Sequence, residues 1–91
     1  MAVSVRVPTQ LRTLTGGASE IAVDGETVRD VITALEAAHP GFAERLYDDS
    51  GALRRFVNVF VAEEDIRFLD GLDTKVSEGQ TVSIIPAVAG G

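Results

Sequence analysis

In Thr27-Val28-Arg29-Asp30-Val31-Ile32-Thr33-Ala34-Leu35, apolar residues fall at Val28, Val31, Ile32 and Leu35. That is the i, i+3, i+4, i+7 spacing that gives a helix one apolar stripe. Thr27 is placed to cap its first turn, and His39-Pro40-Gly41 stops it. A helix with a single stripe needs a sheet to cover it, and the segments on both sides supply strands. Upstream, Val3, Val5 and Val7 alternate with Ser4 and Arg6 until Pro8 ends the pairing. Gly16-Gly17 then supplies turn chemistry before Ser19-Glu20-Ile21-Ala22-Val23, which predicts a hairpin of the first two strands. Gly25 serves the turn into the helix.

Downstream, Phe42 to Tyr47 adds a short helical turn and Asp48-Asp49-Ser50-Gly51 an exposed loop. Phe56-Val57-Asn58-Val59-Phe60-Val61 is strongly β-prone, Glu63-Glu64-Asp65 reads as an acidic turn, and Glu78-Gly79 turns the chain into a final strand, Thr81 to Pro86. The expected fold is a small α+β domain with one main helix packed across one face of a mixed sheet. The helical excursion lets a later strand run parallel to the first, and the last strand is expected beside the first at the centre. Pro86 fits only where no ladder donor is needed. The domain is expected to span 1–88, with 89–91 as a flexible tail.

With 91 residues and 45% hydrophobic content, such a chain buries roughly 60 to 65% of its unfolded surface, enough for one modest core. The absence of cysteine excludes disulfides, thiolate metal sites and thiol nucleophiles. No apolar run approaches a membrane span and the first residues lack a signal-peptide pattern, so a cytoplasmic location is expected, with no membrane association. A net charge of −6, with seven arginines and the lone Lys75 scattered along the chain, argues against nucleic acid as a partner. A monomer that docks transiently fits this size and charge.

The end of the chain carries the candidate chemistry. Gly90-Gly91 has no Cβ to obstruct a narrow slot, so its backbone can approach a bound nucleotide closely. A terminal carboxylate on Gly91 is ionised at neutral pH and unhindered, able to attack the α-phosphate of ATP and become an acyl adenylate. Chain ends are commonly frayed, and two glycines taken alone favour that reading over a functional one.

The functional reading depends on what precedes them. Phe56-Val57-Asn58-Val59-Phe60-Val61, the turn with Asp65-Ile66-Arg67, Gly71-Leu72-Asp73-Thr74, and Val82-Ser83-Ile84-Ile85-Pro86-Ala87-Val88-Ala89-Gly90-Gly91 together resemble the ubiquitin-like β-grasp sulfur carriers. The likeness covers essentially the whole chain. It is greatest to the actinobacterial carrier of cysteine biosynthesis and to molybdopterin-synthase small subunits. The thiamine-pathway carriers are shorter and lack a loop as long as Asp48 to Arg55, which points away from that pathway.

The resemblance implies a reagent, not an enzyme. An E1-like enzyme would adenylate Gly91 using MgATP, with no cofactor bound by the carrier itself. A sulfur donor would displace AMP to leave a C-terminal thiocarboxylate, and a sulfur-accepting synthase would take the sulfur. In the cysteine pathway a metalloprotease would then trim the tail back to Gly91. Because the sequence already ends there, no maturation cleavage is expected. The missing cysteine also gains a reason, since a nearby thiol could trap the adenylate as a thioester.

Docking of the activating enzyme is expected on the sheet face opposite the helix. If Val57, Val59 and Val61 point inward, the two-residue period turns Phe56, Asn58 and Phe60 outward, with Arg6, Ser83 and Ile85 on the same surface. Other residues are weaker candidates. His39 sits near a helix end, where capping is the ordinary role, and Glu63, Glu64 and Asp65 match no calcium loop. Arg54 and Arg55 could face an acidic partner or simply discourage edge pairing. Two further classes stay open: a ubiquitin-like modifier joined to a lysine of a target, with Lys75 the only lysine for self-linked chains, and a plain binding subunit whose diglycine occupies a partner's pocket.

Overall fold

The alternation at the start of the chain becomes β1 (Ala2–Arg6), with Val3 and Val5 buried and Ser4 and Arg6 on the opposite face. A computed structural model describes residues 2–54 and 57–86. β1 pairs antiparallel with β2 (Glu20–Asp24), setting Val3 opposite Val23 and Val5 opposite Ile21. The hairpin is as expected, but its connection is not a bare glycine turn. Thr9–Thr15 winds into a 3₁₀ segment that buries Leu11 and ends at Gly16, whose φ of 68° is left-handed. Leu11 gains burial by this detour, and the Val7 N–H then donates to the Ser19 carbonyl at 2.8 Å to resume the ladder.

The capped helix α1 (Val28–Ala38) forms as its spacing predicts. The Thr27 Oγ1 accepts from the Asp30 N–H at 3.2 Å, and Val28, Val31, Ile32 and Leu35 are all buried. At Gly25 a Cβ would lie 2.9 Å from Val31 Cγ2, so the turn into the helix needs a residue without a side chain. The His39 N–H closes the last turn on the Leu35 carbonyl at 2.7 Å. α2 (Phe42–Leu46) follows through Gly41, whose φ is 117°. The Glu36 carboxylate stands in for a cap by accepting from the Gly41 and Ala43 N–H groups, and Phe42 and Leu46 fill the core.

β3 (Val57–Val61) buries Val57, Val59 and Val61. The acidic stretch is more than a turn: Ala62 and Glu63 take φ of 51° and 72°, and Glu64–Asp65 fold back as the two-residue strand β4. β5 (Thr81–Pro86) then enters the middle of the sheet. The strand order is β2-β1-β5-β3-β4, with β5 parallel to β1 and antiparallel to β3. This is the expected mixed sheet with one helix across one face. Val3, Val5, Val59, Val82 and Ile84 meet the α1 stripe in a single core cluster. The expected domain boundary at residue 88 lies outside the described residues.

Candidate functional site

Register brings the outward residues of the sheet into rows. Glu20 lies opposite Arg6, Arg6 opposite Ser83, Ser83 opposite Phe60, and Phe60 opposite Asp65, so one row crosses all five strands. One step along, Asn58 lies opposite Ile85. Directly paired residues project to the same side, and the residues that alternate with these, Val5, Val57, Val59, Val61, Val82 and Ile84, are buried. Arg6, Asn58, Phe60, Ser83 and Ile85 therefore share the face opposite α1, as their period predicts. Phe56, Gly90 and Gly91 lie outside the described residues.

Of the two phenylalanines expected on this surface, Phe60 is among the described residues and Phe56 is not. Phe60 is half-buried between its cross-strand neighbours, and the half-exposed aliphatic residue is Ile85, at 50%. Arg6 and Glu20 face each other at 3.8 Å with both side chains exposed, while Asn58, Phe60 and Ile85 lie on β3 and β5, on the side of the sheet nearer Asp65.

Arg67 is a feature that sequence reading passed over. β4 has only two residues, so it pairs with β3 only at Phe60 and Val61. Beyond that point the Arg67 guanidinium takes the place of a strand, donating from Nη2 to the Val57 carbonyl at 3.0 Å and from Nη1 to Asn58 Oδ1 at 2.9 Å. Asp65 fixes the turn by accepting the Arg67 N–H on Oδ1 at 2.8 Å. Immediately after, Phe68 is 84% exposed and Leu69 is 43% exposed. The available signal was an apolar pair between Arg67 and Asp70 with no periodic pattern to bury it.

At the end of β5 an open groove of about 650 Å³ runs between the strand and the 3₁₀ segment, lined by Pro8, Gln10, Arg12, Ser83 and Ile85 among others. Arg12 is tied to its rim, donating from Nε to the Val7 carbonyl at 3.2 Å.

Of the two arginines ahead of β3, Arg55 lies outside the described residues. Arg54 donates to the Glu44 carbonyl at 3.1 Å, which ties the loop to α2. Asp48 Oδ1 accepts from the Ser50 hydroxyl at 2.6 Å and from the Ser50 and Ala52 N–H groups. These bonds, that from the Ser50 hydroxyl foremost, hold the Asp48 carboxyl below its ordinary range. Burial pushes the Tyr47 phenol up, partly opposed by Arg29. Among the described residues, no group of three or more His, Asp or Glu side chains is placed to hold a metal ion, and no helix is long and apolar enough to cross a membrane.

Comparison with known proteins places this geometry in context. Residues 5–91 match the ThiS family. The chain is 50% identical over 93 residues to the sulfur carrier protein CysO of Mycobacterium tuberculosis, covering all of both chains. It is 43% identical over 68 residues to small archaeal modifier protein 3 of Haloferax volcanii, covering 75% of this chain and 73% of that one. A chain of the Amycolatopsis orientalis BexX/CysO complex superposes with a TM-score of 0.92 at 47% identity, over 99% of this chain and 100% of that one.

Proposed function

This chain belongs to the ThiS family, and from that membership we propose that it carries sulfur as a thiocarboxylate on Gly91. The observation that supports this most is 50% identity over the full length of a sulfur carrier protein. The fold is consistent with it, because β5 lies between two partner strands and gives the residues beyond it a fixed point of departure.

In this reading an E1-like enzyme docks on the outer face at Asn58, Phe60 and Ile85, with Phe56 alongside. The Gly91 carboxylate attacks the α-phosphate of MgATP bound by that enzyme, and pyrophosphate leaves. The resulting acyl adenylate has an electrophilic carbonyl carbon, and a sulfur donor attacks it and expels AMP. The carrier itself turns over nothing. It is consumed as a thiocarboxylate by a sulfur-accepting synthase and returned as Gly91, directly or after a metalloprotease removes the added group. Likeness to CysO favours cysteine biosynthesis in the cytoplasm over molybdopterin synthesis. The BexX/CysO complex supports the idea that a carrier of this shape forms complexes with a second protein.

The likeness to small archaeal modifier protein 3 favours one second reading, in which the adenylated Gly91 is joined to a lysine of a target protein. Both begin with the same activation. The purified chain, incubated with cell extract, ATP and sulfide, is followed by intact mass before and after a thiol-selective alkylating reagent. A carrier exchanges one carboxylate oxygen for sulfur and becomes alkylatable. Alkylation separates this from oxidation of Met1, the only methionine. Conversion into larger conjugates instead supports the modifier, and an unchanged mass overturns both.

A further inference from the structure

Asn58 is held on the outer face in one orientation. Its cross-strand partner is Ile85, one residue before the last described position of β5. The Arg67 guanidinium approaches it at 2.9 Å. Guanidinium has N–H donors and no acceptor, so the Asn58 atom facing it is the carbonyl oxygen, and the amide nitrogen is turned away. Arg67 is itself anchored by the Val57 carbonyl and by the Asp65 carboxylate at its own N–H. A rotation of the Asn58 amide would set N–H against N–H. Among the described residues, Asn58 Nδ2 has no hydrogen-bond partner, although the residue is half-buried. Docking over this face would complete that burial, and a buried donor without an acceptor is costly.

We propose that the Asn58 amide is a specificity element of the docking face, and that it donates from Nδ2 to a main-chain carbonyl of the activating enzyme, with Arg67 as the positioning residue. The acceptor is assigned as neutral because Asp65 lies in the row beside Asn58 and caps the turn that carries Arg67. The spot is therefore close to charge balance, and the chain as a whole is at −6. A partner carboxylate would meet both. This inference rests on the activation step proposed above.

The test is steady-state ATP–pyrophosphate exchange with the E1-like adenylating enzyme purified from the same organism, varying the concentration of the carrier. Asn58→Asp keeps an oxygen for Arg67 and replaces the outward donor by a second acceptor. It is expected to hold its melting temperature and to raise the KM for the carrier roughly 10- to 100-fold, the cost of facing a buried acceptor with another, with kcat little changed. Asn58→Ala removes the donor without adding an acceptor and is expected to raise KM less. Arg67→Met, which releases the amide to rotate, is expected to raise KM by only about 2- to 5-fold.

Ionic strength tests the nature of the acceptor. The Asn58→Asp effect is expected to stay constant as salt is raised, whereas an effect that shrinks with salt identifies a charged partner group and overturns the carbonyl assignment. A KM within twofold of the parent for both Asn58 variants overturns the inference. Should Asn58→Asp melt well below the parent, Asn58→Ala decides. No exchange with the parent chain overturns the proposed function, and the inference with it.

Discussion

Two single side chains show how local hydrogen bonding shapes this domain. Thr27 satisfies one free N–H of the first turn of α1, that of Asp30, through its Oγ1, so Thr27→Ala is expected to cost about 1 kcal/mol. In a domain of this size that lowers the melting temperature by roughly 4 to 8 °C, which a thermal melt followed by circular dichroism reads directly. Asp48 gathers three hydrogen bonds on one oxygen, which favour the ionised form in the folded chain. Its contribution is therefore fully present above the ordinary value of 3.8 and is lost as pH falls through the lowered one. Asp48→Ala is expected to melt below the parent at pH 7, with the gap closing in acid. A gap that widens toward low pH would contradict that sign.

At the level of strands and helices, β3 divides its residues between two jobs. Val57, Val59 and Val61 belong to the core, while Asn58 and Phe60 belong to the outer face. Phe60→Ala is expected to weaken binding of the activating enzyme, measured by titration calorimetry, by a larger free-energy change than it removes from stability in denaturant unfolding. The reverse ranking takes Phe60 out of the interface. The strands and α1 could be read from the chain because periods of two and of 3.6 survive in Val3 to Val7, Val28 to Leu35 and Val57 to Val61. The 3₁₀ segment at Thr9–Thr15 and the strand β4 could not. Leu11 and Leu14 stand three apart in a stretch too short for a period to separate a helical turn from a loop, and Glu64–Asp65 has no strand propensity, pairing only because the left-handed turn at Ala62 and Glu63 aims it back at β3. The shared outward face of Asn58, Phe60, Ser83 and Ile85 was legible for the same reason as the core. The Arg67 clamp was not, because it depends on β4 being too short, which is a fact of three-dimensional pairing.

For the molecule as a whole, the chemistry proposed at Gly91 lies apart from the core along the chain, since the core cluster involves no residue beyond Ile84 among those described. One extra residue after Gly91 is therefore expected to leave the melting temperature of the domain within the change caused by a typical surface substitution, about 0.5 kcal/mol. The same extension is expected to abolish formation of an alkylatable Gly91 in the intact-mass assay, because the Gly91 carboxylate would be tied up in a peptide bond. An extended chain that still gains sulfur would remove Gly91 from its proposed role. The central position of β5 has a mechanical consequence as well. Tension applied through the residues after Pro86 runs along a strand bonded to β1 on one side and β3 on the other, so it loads two ladders in shear at once instead of peeling their bonds one by one. An enzyme can haul on such a tether, strip it and let it go while the body it is fastened to keeps its shape.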